Sequence, residues 1–273
     1  MAKRKKGTDS PQATFAETMH LIGYRFSLAK AFDDFLTMAI AACTQNPATG
    51  KSHYEEEYLE AIAYYKDSEL RHEFPKAFAQ LVMEMEERMG SGKGNDVLGD
   101  FFEQNVSNGR NGQFFTPYPI CEFMASAVAA KGAGSEAAER EEPLRMLDPA
   151  CGSGRMLVAA RKVNGGNNSY YGIDIDRVCV KMAALNLFLN GMWGSEVMCA
   201  DALMPQDFVV SYRISFLPFG IFKIVEKEKS VLWHMHLNSF ARKDNDPPEE
   251  AGPNAKSPTY RAPDGTSTQL TLF

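Results

Sequence analysis

Leu144-Arg145-Met146-Leu147-Asp148-Pro149-Ala150-Cys151-Gly152-Ser153-Gly154 is the stretch that decides the fold. Its apolar start, Leu144–Leu147, reads as a short strand. The glycines that follow allow a tight turn into a helix running from Ser153 to Val163, with backbone free to approach a ligand at the helix N-terminus. A dinucleotide cradle would place another glycine three residues after Gly154, where Leu157 stands. Asp148 points away from phosphate too, because a carboxylate there repels an anion and suits an ammonium or sulfonium group.

Outward from this turn, strand and helix signals alternate. Ser169–Ile173 reads as a second strand, Asp176 to Asn190 as a helix with Val180, Ala184, Leu187 and Phe188 inward, and Glu196–Ala200 as a third strand. This βαβαβ order predicts an α/β fold, a doubly wound parallel sheet with its ligand outside the carboxyl ends of the strands. Val209 to Phe216 reads as a fourth strand. The second strand ends at Asp174, where a carboxylate typically accepts ribose hydroxyls. The third ends at Asp201, placed to accept from an adenine amine. One glycine turn and three strand-end carboxylates, Asp148, Asp174 and Asp201, suit a nucleoside with a cationic amino-acid arm, S-adenosylmethionine.

Residues 12–106 carry almost no strand signal. Phe15, Ile22, Phe26, Phe35, Leu36 and Ile40 recur at helical steps, and further helices are expected over Glu55–Tyr65, Pro75–Met89 and near Asp96–Asn105. Ahead of them, residues 1–11 read as a basic flexible tail. Thr116-Pro117 looks like an N-cap with proline at the first helical position, opening a helix to about Ala130. Domain boundaries follow: a helical domain over 12–106, a ligand-binding domain over 107–240 and a tail over 241–273. That tail holds five of the 14 prolines and little apolar periodicity, so an extended, disordered segment is expected.

Composition narrows the partners. The 273 residues are 44% hydrophobic, with 29 Lys and Arg against 35 Asp and Glu, a net charge of −6. An acidic chain is a poor free-standing DNA binder, since phosphate contacts supply most nonspecific affinity. Any contact with DNA therefore needs a local basic patch or a partner. The apolar runs are too short for a transmembrane helix, and the basic start lacks the apolar core of a signal peptide. Five cysteines, an odd number without a CxxC pair, fit a reducing cytoplasm. His234 and His236 have no third ligand in view, so no metal site is expected.

The glycine turn, together with Gly112-Gln113-Phe114-Phe115-Thr116-Pro117, resembles the adenine-N6 DNA methyltransferases, in particular the modification subunit of type I restriction-modification systems. That resemblance covers about Thr14 to Asp201. It implies a helical N-terminal domain followed by a Rossmann-like, S-adenosylmethionine-dependent sheet, here truncated. Gln113, Phe114, Thr116 and Pro117 would close over the methionine end of the cofactor; Ala150, Cys151, Gly152 and Gly154 would line it; Asp174 would hold the ribose and Asp201 the adenine. DNA, reached through a specificity subunit, is the implied partner. The family's catalytic Asn/Asp-Pro-Pro-Tyr/Phe motif holds a flipped adenine through two acceptors and an aromatic stack. Here the matching segment reads Phe216-Leu217-Pro218-Phe219, so only Pro218 and Phe219 remain. Losing one oriented acceptor costs about a hundred- to a thousand-fold in rate, so compromised transfer is expected.

A last signal lies in Gln269-Leu270-Thr271-Leu272-Phe273, which resembles the pentapeptide that docks bacterial proteins on the sliding clamp. Gln269, Leu270, Leu272 and Phe273 would be the anchors, and a non-catalytic, clamp-tethered adaptor is the alternative function. The competing reading of the same residues is a terminal strand paired with the chain's own sheet.

Overall fold

The computed structural model describes residues 13–44, 52, 54–89, 91, 94–107, 114–132, 144–165, 168–235, 259–261 and 267–272. Among the described residues, six α-helices precede the first strand: α1 (Phe15–Arg25), α2 (Leu28–Ala42), α3 (Glu55–Ala63), α4 (Glu73–Arg88), α5 (Val97–Phe101) and α6 (Tyr118–Gly132). Local chemistry starts α1. The Thr14 hydroxyl accepts from the Glu17 N–H at 3.2 Å and the Glu17 carboxylate accepts from the Thr14 N–H at 2.7 Å, a reciprocal capping box. Its apolar positions Phe15, Met19 and Ile22 are all fully buried. A π-helical turn, Phe102–Ser107, continues α5.

The sheet contains β1 (Arg145–Asp148), β2 (Ser169–Asp174), β3 (Ser195–Cys199), β4 (Val210–Ser215), β5 (Gly220–Ile224), β6 (Thr259–Arg261) and β7 (Ser267–Leu272), in the order β5-β4-β3-β2-β1-β7-β6. Helices α7 (Arg155–Asn164) and α8 (Arg177–Leu189) cross over between β1 and β2 and between β2 and β3. The β1, β2 and β3 pairings are parallel, with Asp148 beside Gly172 and Asp174 beside Cys199. The parallel βαβαβ order read from the sequence therefore holds for these three strands.

Beyond β3 the expected parallel order gives way. β4 runs antiparallel to β3 and turns at once into antiparallel β5. The cause is the connection: only residues 200–209 join β3 to β4. A parallel return needs a crossover of about a dozen residues or more, usually a helix, and a shorter link favours the antiparallel hairpin.

One hydrophobic core joins the helical region to a face of the sheet. It runs from Phe15, Phe35 and Leu98 to Leu187, Val197 and Ile214 without a break. The boundary expected near residue 106 is thus a change of secondary structure within a shared core. β5 is anchored the same way, since Thr44 Oγ1 donates to the Ile221 carbonyl at 3.0 Å and Tyr54 OH donates to it at 2.6 Å. The opposite face is covered by a helical turn at 231–235, where Leu232, Trp233 and Met235 pack on Tyr171, Ile173 and Met198. Glu196, buried inside β3, holds that turn by accepting from Ser230 Oγ at 2.5 Å and from the Val231 N–H at 3.0 Å.

The segment expected to be wholly extended and unpaired supplies β6 and β7. Residues 269–272 of the terminal pentapeptide lie in β7, parallel to β1, with Leu272 beside Leu147. Alternating Thr and Leu is a strand pattern as well as a docking pattern, and β1 would otherwise expose an unpaired edge. Phe273 lies outside the described residues. No helix among the described residues is long and apolar enough to cross a membrane.

Candidate functional site

Two glycines make the turn after β1 possible. Gly152 has φ +52° and Gly154, which caps α7, has φ +79°. At Gly152 an added Cβ would lie 2.7 Å from the Phe115 ring; at Gly154 it would press 3.0 Å from Leu187 of α8. The turn therefore fits tightly between an aromatic ring on one side and α8 on the other. Cys151 is buried within it, its N–H donating to the Ile173 carbonyl at 2.9 Å. Burial pushes the Cys151 thiol well above its ordinary range, which suits a packing group and not a nucleophile.

Asp174 ties the end of β2 to this turn. One oxygen accepts from the Gly152 N–H at 2.8 Å and the other from the Asp176 N–H at 2.9 Å. A carboxylate has about four lone-pair sites, so the group keeps acceptor capacity beyond these backbone bonds. Burial raises the Asp174 carboxyl from its ordinary value, against the lowering effect of those backbone bonds. Asp148 is likewise raised by burial, with Asp174 adding to the shift, while its oxygen accepts from the Ala150 N–H at 3.1 Å. Asp201 ends the row on an exposed turn, accepting from the Leu203 N–H at 2.9 Å. All three carboxylates lie at the carboxyl end of the parallel strands.

A strap, residues 114–117, passes over the turn and leads into α6. Phe115 stacks on Phe102, ring centroids 5.9 Å apart and planes 19° from parallel. Between strap and turn lies a cleft of about 190 Å³, lined by Phe114, Thr116, Asp148, Ala150, Gly152 and Met156 among others. Pro117 caps α6, one position later than the Thr116 cap expected from the sequence, its carbonyl accepting from the Ile120 and Cys121 N–H groups. The structure thus brings Phe114, Thr116, Pro117, Asp148, Ala150, Cys151, Gly152, Gly154 and Asp174 together, with Asp201 at the next strand end. Gln113 lies outside the described residues.

Phe216, Leu217, Pro218 and Phe219 lie elsewhere. They form the turn between β4 and β5. Because β4 is antiparallel, with Ile214 opposite Ser195 at the start of β3, this turn sits at the amino end of the parallel strands. Phe219 packs at 5.2 Å on Phe188 and 5.6 Å on Trp193, and Phe216 at 5.6 Å on Trp193. Placing Pro218 and Phe219 in the site assumed a parallel fourth strand, and the hairpin reverses that direction.

Sequence reading missed the support of the turn. Asp96, 2% exposed, accepts from Ser153 Oγ at 2.5 Å, Arg155 Nε at 2.8 Å, the Gly99 N–H at 2.8 Å and Asn186 Nδ2 at 2.7 Å. Arg155 was the available signal: a guanidinium in a helix start where residues 155–160 are all buried must have acidic partners.

The chain is 28% identical over 122 residues to the type I restriction enzyme MjaVIII methylase subunit of Methanocaldococcus jannaschii, covering 41% of this chain and 19% of that one. It is 40% identical over 58 residues to the ribosomal protein L11 methyltransferase of Caldanaerobacter subterraneus, covering 21% and 18%. The chain thus spans about a fifth of the length of these curated relatives. Among solved structures, the type I restriction-modification system methyltransferase subunit of Streptococcus thermophilus superposes with a TM-score of 0.30 at 16% identity, over 65% of this chain and 54% of that one. Residues 93–233, just over half of the chain, match the N-6 DNA methylase family, and the chain belongs to that family.

Proposed function

We propose that the chain binds S-adenosylmethionine across the carboxyl ends of β1, β2 and β3 and serves in adenine-N6 methylation of DNA without transferring the methyl group by itself. The observation that carries the reading is the joint hold on Gly152: its N–H is bound by Asp174 while Phe115 closes over it. A turn with no room for a side chain, a carboxylate with spare acceptor capacity and a cleft beside both suit a nucleoside with an amino-acid arm. Asp174 would accept the ribose hydroxyls and Asp201 the adenine amine. Asp148 would face the cationic arm, with Gln113, Phe114, Thr116 and Pro117 covering it and Ala150, Cys151, Gly152 and Gly154 lining it. The bound cofactor supplies an activated methyl on sulfur.

Among the described residues, the segment that resembles the family's seat for the base does not suit that role. Phe216 has no acceptor, and the turn that contains it lies at the far end of the sheet from Asp174. With a net charge of −6, contact with DNA is assigned to a specificity subunit or another partner. Docking of Gln269–Phe273 on a sliding clamp would require β7 to leave β1, since one backbone cannot serve both.

The test uses labelled S-adenosylmethionine and duplex DNA, with the chain alone and with a type I specificity subunit added. Cofactor uptake without N6-methyladenine formation by the chain alone is expected. Robust methylation by the chain alone would overturn the second half of the proposal.

A further inference from the structure

One guanidinium at the cleft ties the helix of the glycine turn to the strap and to the α5 region. Arg155 is 6% exposed. Its Nε donates to Asp96 at 2.8 Å and its Nη2 to Asp100 Oδ1 at 2.7 Å. Its Nη1 lies 3.8 Å from a Glu103 oxygen and donates to the Thr116 carbonyl at 3.4 Å. The guanidinium carbon also lies 5.5 Å from the centre of the Phe115 ring. Glu103 in turn accepts from the Phe115 N–H at 3.3 Å. These partners come from the cap of α5, from α5 itself, from the π-helical turn and from the strap. Arg155 belongs to the glycine turn's own helix.

Stability alone does not account for such a cluster. Desolvating a guanidinium and its carboxylates costs nearly what their attraction returns, and apolar replacements often do as well. What a rigid five-donor fork supplies is direction. Here the directions fix where the strap lies relative to the turn. Besides this fork the strap is held by the stacking of half-buried Phe115 on Phe102, by the Glu103 carboxylate on the Phe115 N–H and by the Cys121 thiol on the Thr116 carbonyl, while Phe114, Thr116 and Pro117 are exposed. Asp174 and Asp201 make no contact with the fork; Asp174 is held by the Gly152 and Asp176 amides, and Asp201 takes the Leu203 amide.

We infer that Arg155, oriented by Asp96, is a positioning residue that holds the strap closed over the amino-acid arm of the cofactor and so sets affinity for that arm and not for the nucleoside. This rests on the proposed binding of S-adenosylmethionine. The consequence is a selectivity that a general structural role would not produce. Two ligands separate the two: S-adenosylmethionine, and 5′-methylthioadenosine, which keeps the nucleoside and lacks the arm.

Calorimetric titration of the full chain with both ligands is the experiment. Arg155→Lys keeps the charge and removes the fork. It should weaken S-adenosylmethionine about tenfold or more while changing methylthioadenosine less than about threefold. Glu103→Ala removes the acceptor for the Phe115 N–H together with the most distant carboxylate facing Arg155, at a partly exposed site, and should shift the same ratio in the same direction by less. Equal losses for both ligands, or no change in either variant, would overturn the inference. If the wild-type chain binds neither ligand, it is the proposed function that fails.

Discussion

The turn after β1 and the turn after β4 are both short, both follow a strand, and both carry residues that resemble a methylase motif. They differ in what holds them. Residues 149–154 are gripped by Asp96, Asp174, Asn186 and the Phe115 ring, with nearly every polar group engaged. Residues 216–219 rest on Phe188 and Trp193 and leave Phe216, Leu217 and Phe219 57%, 84% and 53% exposed. Preorganisation, not local resemblance, marks the first as a site. Strand direction then decides which end of the sheet each turn faces.

The largest effect expected of this difference is at Asp96. Asp96→Ala leaves Arg155 buried without its most deeply buried partner, and should cost about 3–5 kcal/mol in denaturant unfolding. A loss under about 1 kcal/mol would mean that the first turn is no better held than the second. Next comes Gly152→Ala. It places a side chain at φ +52° and 2.7 Å from the Phe115 ring, so S-adenosylmethionine affinity should fall about ten- to a hundredfold with the fold retained in circular dichroism.

Acid sharpens the comparison in another way. Burial raises Asp148 and Asp174, and the ligand needs both ionised. As pH falls through their raised values, affinity should drop, at a limiting slope of about tenfold per pH unit for each proton taken up. The sign for folding is opposite. A carboxyl raised in the folded state favours folding as it becomes protonated, so these two groups do not unfold the protein over that window. Binding should therefore be lost before structure, as calorimetry and circular dichroism on the same samples would register. The smallest effect belongs to the second turn: Phe219→Ser should shift stability by about 1 kcal/mol or less and leave cofactor affinity unchanged. A clear loss of binding in that variant would break the contrast between the two turns.

The sequence disclosed the first turn almost completely. Glycines before a helix and carboxylates at successive strand ends have local causes, so Asp148, Gly152, Asp174 and Asp201 were legible from spacing. Helices α1 to α5 were legible too, because their apolar periodicity reports the face they bury. The antiparallel direction of β4 has a local cause, the short link 200–209, that the strand signals alone did not show. What could not be read was set by distant partners. The hold on Arg155 depends on Asp96, 59 residues away. The alternating Thr and Leu of β7 suited both a partner's groove, the reading favoured from the sequence, and the edge of β1, and in the structure residues 270–272 pair with β1.

Titration of the purified full chain with S-adenosylmethionine, beside Asp174→Ala, tests the central claim most directly. Saturable one-to-one binding by the wild type, weakened at least about tenfold in the variant, is predicted, since the substitution removes the ribose acceptor and frees the Gly152 N–H. Identical behaviour of the two proteins, with no uptake by either, would contradict it.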